Sequence, residues 1–216
     1  MKPVLWSVLA FAVLSAPALA ADGDFRLGVT AGTLGIGPEV GFRPSDHFGL
    51  RANATFFSLG HGLTVDDIDY HGKVKLRSFG LMADVFPFGG GFHLSAGARV
   101  NGNKARATAT PDEPIEIGDT VYDPAAVGTL AGGLKTKTFA PQLTLGFSGK
   151  RARGFNFGVE AGALFQGTVR VRPLTLTSTL GVVSQADLDR ARADLQDKVD
   201  DYKVWPILQL RLGYRF

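Results

Sequence analysis

Apolar residues recur at every second position along most of this chain, and the central charges of those segments fall on the other parity. The C-terminal segment shows it without a break. Leu208, Leu210, Leu212, Tyr214 and Phe216 alternate with Gln209, Arg211, Gly213 and Arg215. A period of two is the signature of a β-strand with unlike faces. Alternation of this kind predicts about eight strands, near 25–33, 35–43, 48–58, 73–86, 92–105, 135–149, 154–170 and 202–216. One face carries Phe, Leu, Val and Ala, as in Phe48, Leu50, Ala52, Ala54 and Phe56. The other carries Arg26, Glu39, Arg51, Asp84, Arg99, Glu160 and Arg211.

Which face is outside decides the class. A soluble ligand-carrying barrel puts its apolar face inside. A membrane barrel inverts this, because an Arg or Lys on the lipid face costs roughly 2–4 kcal/mol at the midplane. Here the polar face is rich in Gly, Ser, Thr, Asn and Gln and carries both signs of charge, which suits a narrow filled interior. The Gly count of 28 in 216 residues has a reason in this setting. Gly28, Gly32, Gly37, Gly41, Gly97, Gly146, Gly158, Gly162 and Gly213 share the inward parity and leave room for Arg and Glu. Phenylalanines pair at eight-residue intervals, as Phe48 with Phe56, Phe139 with Phe147 and Phe157 with Phe165. In tilted strands that spacing is about 20 Å along the normal, close to two aromatic girdles bounding an apolar band.

Turn signals at 44–47, 87–91 and 150–153 are short, and the first link at Thr33-Leu34-Gly35 is tight. The remaining links, 59–72, 106–134 and 171–201, are expected to be long loops. Short turns at one end and long loops at the other are the outer-membrane arrangement. The first residues read as a secretory signal. Lys2 is the charged n-region, Val4–Val13 the apolar h-region and Ala18-Leu19-Ala20 the cleavage site. The expected organisation is therefore a signal peptide over 1–20 and one barrel domain over 21–216. With no Cys, disulfides and Cys-ligated metals are excluded. A net charge of only +3 is weak evidence for a nucleic-acid partner, and none is expected.

The terminal alternation of Leu208, Leu210, Leu212, Tyr214 and Phe216 resembles the sorting signal of Gram-negative outer-membrane barrels. The whole chain resembles, in architecture, the small proteobacterial barrels of the OmpA-transmembrane-domain, OmpX and OmpW class. The resemblance implies an all-β, closed antiparallel up-and-down transmembrane barrel, to which the pattern over Ser184–Asp201 adds a short helix in the last long loop. It implies an outer-membrane location, delivery by the barrel-assembly machinery, a monomer, no cofactor and no catalytic residue. The implied role is structural or surface-interacting; the alternative is a narrow channel for ions or small solutes.

Four features carry functional expectations. Arg26, Glu39, Arg51, Asp84, His93, Arg99, Glu160 and Arg211 are expected to meet as a polar network in the lumen, blocking it or lining a narrow path. His93 and Ser95 form an H-x-S pair similar to that of outer-membrane lipid A deacylases, but with Ala96-Gly97 following and a lumen-facing parity. A lipid A-modifying enzyme is therefore the least favoured reading. Lys73, Lys75, Arg77, Lys104, Arg106, Lys135 and Lys137 share outward parity at the loop-side strand ends, and suit lipopolysaccharide phosphates. In the loops, Gly118-Asp119 signals a hairpin. Ser184 with Asp187 signals a helix start, with Leu188, Ala191, Leu195 and Val199 on one face over the barrel mouth. His61, Asp66, Asp67, Asp69 and His71 read as an acidic solvated loop rather than a cation site.

Overall fold

The computed structural model describes residues 24–65, 68–149, 153–178, 180 and 182–216. The expected signal peptide, Asp66 and Asp67, and residues 150–152 of one short turn lie outside them. Eight antiparallel strands form a ring, and the first five are β1 (Asp24–Gly32), β2 (Gly35–Arg43), β3 (Phe48–Val65), β4 (Ile68–Val85) and β5 (Phe92–Asn101). The other three are numbered in chain order among the elements of an outer lobe, which begins after β5. The lobe comprises β6 (Lys104–Pro111), β7 (Ile115–Ile117), β8 (Thr120–Tyr122), α1 (Pro124–Val127) and β9 (Leu130–Lys135). The ring resumes with β10 (Phe139–Phe147) and β11 (Gly154–Leu164). The lobe gains β12 (Arg170–Val171), β13 (Thr175–Leu176) and α2 (Gln185–Val199) before β14 (Trp205–Arg215) completes the ring. Each ring strand pairs with its two neighbours, in the order β1-β2-β3-β4-β5-β10-β11-β14 and back to β1.

Burial follows parity. On β10 it alternates from Phe139 to Phe147 without exception, apolar residues exposed and Ala140, Gln142, Thr144 and Gly146 buried. Leu50, Leu81, Leu94, Leu143, Phe157 and Leu210 are among the exposed outward residues. At the short-turn end, Phe25 contacts Phe216, and Tyr214 contacts both Phe216 and Phe155. The outward positions of Leu208, Leu210, Leu212, Tyr214 and Phe216 are all exposed. Among the described residues no helix is long and apolar enough to cross a membrane.

The inward glycines admit bulky neighbours where those neighbours are needed. A Cβ on Gly146 would stand 2.5 Å from the Val159 carbonyl oxygen and 2.9 Å from His93 Nε2. Gly80, which the parity reading passed over, leaves the space that the Arg99 guanidinium fills.

Two expected loops are not loops. Segment 59–72 continues β3 and β4 as one long hairpin, with Leu59 opposite Val74 and His61 opposite Gly72. Within 106–134, β6 and β9 pair with each other, and β6 extends the β5 edge of β4 after a break at Gly102 and Asn103. These segments stand beyond the apolar band, where neither face is held to lipid, so their alternation carries no clean parity. The expected hairpin at Gly118-Asp119 is present between β7 and β8, with Gly118 at φ +64°. The expected helix is α2, and Ser184 Oγ accepts from the Asp187 amide at its start.

Candidate functional site: the filled interior of the ring

The interior is built in layers. Nearest the short turns, the Arg43 guanidinium lies 3.6 Å over the Phe86 ring and donates to the Gly89 and Gly90 carbonyls. These groups occupy the short-turn end of the ring, beside a small pocket that Arg26, Arg51 and Arg215 also line.

The central layer is organised by Arg51 on β3, which is 2% exposed. Its Nε donates to Asp84 Oδ2 at 2.6 Å. Its two terminal nitrogens grip Glu160 at 2.8 and 3.1 Å. Nη1 also lies 3.5 Å from Glu39 Oε2. One guanidinium thus serves carboxylates from β2, β4 and β11. Arg26 donates to Glu39 at 3.0 Å, and Arg211 stands 3.7–3.8 Å from both Glu160 and Glu39. Thr144 donates to Glu160. A buried charge is tolerated when it is paired and its remaining valences are filled. Arg51 meets that condition through side chains from different strands, whereas Nε and Nη1 of Arg211 have no hydrogen-bond partner among the described residues.

His93 and Ser95 are both buried but do not bond to each other in a dyad. Arg211 Nη2 meets His93 Nε2 at 2.9 Å. A guanidinium can only donate, so Nε2 accepts and the ring proton sits on Nδ1, facing the Gly91 carbonyl at 3.1 Å. Ser95 Oγ donates to Asp84 Oδ1 at 2.6 Å and accepts from Arg51. Its proton is therefore directed at a carboxylate that Arg51 already holds.

Arg99 is satisfied differently, by neutral groups. It donates to Gln142 Oε1 at 2.7 Å, Ser78 Oγ at 2.8 Å and Asn53 Oδ1 at 2.6 Å. These three partners were not singled out in the sequence; their shared inward parity with Arg99 was the available signal. Above them, Leu34, Ala140, Leu164 and Ile207 pack as an apolar plug at the outer end of the ring. Over this plug lies a cavity of about 560 Å³ lined by Leu76, Leu134, Val199, Tyr202 and Trp205. The end of α2 thus borders the space above the mouth. The helix is anchored there, since Gln196 donates to the Val169 carbonyl and accepts from the Val171 amide.

The outward cations are placed at the loop-side strand ends. Lys73, Lys75, Arg77, Lys104, Arg106, Lys135 and Lys137 are all exposed. Pairing brings Lys75, Lys104 and Lys135 into one row and sets Lys73 opposite Arg106. Lys137 lies apart, in the turn before β10, with its side chain against Gly167. His61 and His71 sit on facing strands of the long hairpin, while Asp66 and Asp67 lie outside the described residues.

A ring of eight strands with an apolar outer surface and a polar interior has the fold of the outer-membrane β-barrel proteins. Two solved structures of that class are similar across nearly their whole length. One is Acinetobacter baumannii CarO2, with a TM-score of 0.61 and 18% identity over 89% of this chain and 98% of that one. The other is Acinetobacter baumannii CarO, with a TM-score of 0.58 and 18% identity over 93% of this chain and all of that one. No protein-family profile matches the chain, and no curated protein shows a significant sequence match.

Proposed function

We propose that this chain is an integral outer-membrane protein of a Gram-negative bacterium, a closed up-and-down barrel with a filled lumen, acting through its outer surface. In strand number and length it accords with the OmpA-transmembrane-domain, OmpX and OmpW kind of barrel. The barrel-assembly machinery would receive it through the terminal strand, and the outward Leu208–Phe216 positions suit that role. A monomer suffices, because every ring strand already has two partners.

The observation that carries the reading is the stacking of two seals. Arg51 ties three carboxylates across the middle of the ring. Leu34, Ala140, Leu164 and Ile207 then close its outer end. An ion passing through would have to displace paired charges and then cross an apolar constriction, which itself gates by dewetting. A structural or surface-interaction role needs neither to move. The direction of the Ser95 proton toward Asp84, with no bond to His93, favours this reading over a lipid A-modifying enzyme.

Purified protein in a planar bilayer tests it. The expected record in molar KCl shows no stable conductance steps. Reproducible ohmic steps from the wild-type chain would replace the filled-barrel reading with the narrow channel.

A further inference from the structure

We infer that the outward cations on the lobe-side strand ends form a binding site for the phosphates of lipid A in the outer leaflet. This rests on the outer-membrane barrel reading.

The strand register makes a cationic row. Lys75 on β4 faces Lys104 on β6, Lys104 faces Lys135 on β9, and Lys135 faces Arg170 on β12. All four are exposed and share one face. With strands about 4.8 Å apart, four positive charges stand within roughly 15 Å. Beside this row, Lys73 faces Arg106. Like charges placed directly opposite destabilise a sheet. Among the described residues none of these six makes an ion pair, so nothing in the described protein relieves the repulsion. An external anion would.

The surroundings indicate which anion. On β3 the positions opposite Lys75 and Lys73 are Ser58 and Gly60, whose small side chains leave the row open on that flank. The result is a groove of about 730 Å³ along Ser58, Lys73, Lys75, Arg77, Lys104 and Arg106. At its foot, Phe56 and Phe79 meet edge to face, and Phe79, Val100 and Phe139 stand in register with exposed apolar side chains. Lys75 is four residues along β4 from Phe79, or roughly 10 Å along the membrane normal for a tilted strand. Phosphate at that height, with acyl chain directly below, is the composition of a phosphorylated lipid, and at the loop-side end of an outer-membrane barrel that lipid is lipid A. A soluble polyanion would match the charges but leave the apolar foot without a partner. Charge-assisted contacts from Lys and Arg to phosphate are the strong class of hydrogen bond.

The test uses the full chain folded into phosphatidylethanolamine–phosphatidylglycerol vesicles, with heat-modifiable gel mobility as the check that the barrel has formed. Binding is measured in EDTA, so that divalent cations cannot bridge the phosphates. The probes are lipid A with both phosphates, dephosphorylated lipid A and inorganic phosphate. Wild type is expected to bind the doubly phosphorylated form at least about tenfold more tightly than the dephosphorylated one. Inorganic phosphate should compete only weakly. The triple variant K75Q/K104Q/K135Q is expected to lose this preference, whereas K75R/K104R/K135R keeps it and R190Q/K198Q, on α2, leaves it unchanged. If the triple Gln variant fails to fold, K75Q and K104Q singly, each in a folded barrel, are expected to lower it. A folded wild-type barrel without the preference, or Gln variants that retain it, overturns the site. A chain that forms no barrel overturns the reading beneath it.

Discussion

Arg51 shows what a single inward side chain can be asked to do. Removing it leaves the buried Asp84, Glu160 and Glu39 carboxylates with one shared cation fewer. Stranding buried charges in this way costs about 3–5 kcal/mol. Arg51→Met is therefore expected to lower stability by that amount, read from the urea midpoint of folding into lipid vesicles. Arg26→Met should cost less, because Arg26 bonds one carboxylate and Glu39 retains other partners. The inward parity of these residues was legible, since a charge on the lipid face is ruled out by its cost. Which carboxylate each guanidinium meets was not. Arg51 reaches Glu160 across 109 positions, while among the described residues Arg99 meets no carboxylate within bonding distance. Parity orients a side chain along one axis, and the partner depends on strand stagger around the ring.

At the scale of elements, α2 was legible to the residue at its start because the signal is local. The Ser184 hydroxyl satisfies the Asp187 amide within one turn, whatever the helix packs against. Asp187 also has a tertiary role. Its carboxyl is held below the ordinary carboxylate range, first by the Tyr122 hydroxyl at 2.6 Å and then by the Ser184 hydroxyl at 2.7 Å. The lobe therefore has this stabilisation in full above the ordinary aspartate value near 3.9 and loses it as pH falls below that, through the folded-state value. Lobe melting followed by circular dichroism is expected to be flat from pH 7 to about 5 and to fall only below about 4. Asp187→Asn should remove that acid-side fall. The long β3–β4 hairpin and the β6–β9 pair were illegible for the complementary reason. Beyond the membrane both faces of a strand see protein or water, so nothing enforces alternation.

At the scale of the molecule, a ring and a lobe share one chain but not one means of support. The ring closes its hydrogen bonds on itself. The lobe rests on a small core of Ile117, Val127, Leu174 and Leu188. Segments with few buried apolar contacts open at lower free energy. Hydrogen exchange is accordingly expected to release amides of β7, β8 and α2 well before those of β10, β11 and β14. Simultaneous release would mean that the lobe and ring unfold as one unit. The sequence by itself determined the strands that cross the apolar band, their inward and outward faces, the hairpin at Gly118 and the start of α2. Each is set by a repeat of two residues or by contacts within a single turn. Only the tertiary structure decided the three-carboxylate grip of Arg51, the apolar plug above it and the cationic row from Lys75 to Arg170. Those depend on which distant strands become neighbours and in what register, and the energies that select a register are summed over the whole ring.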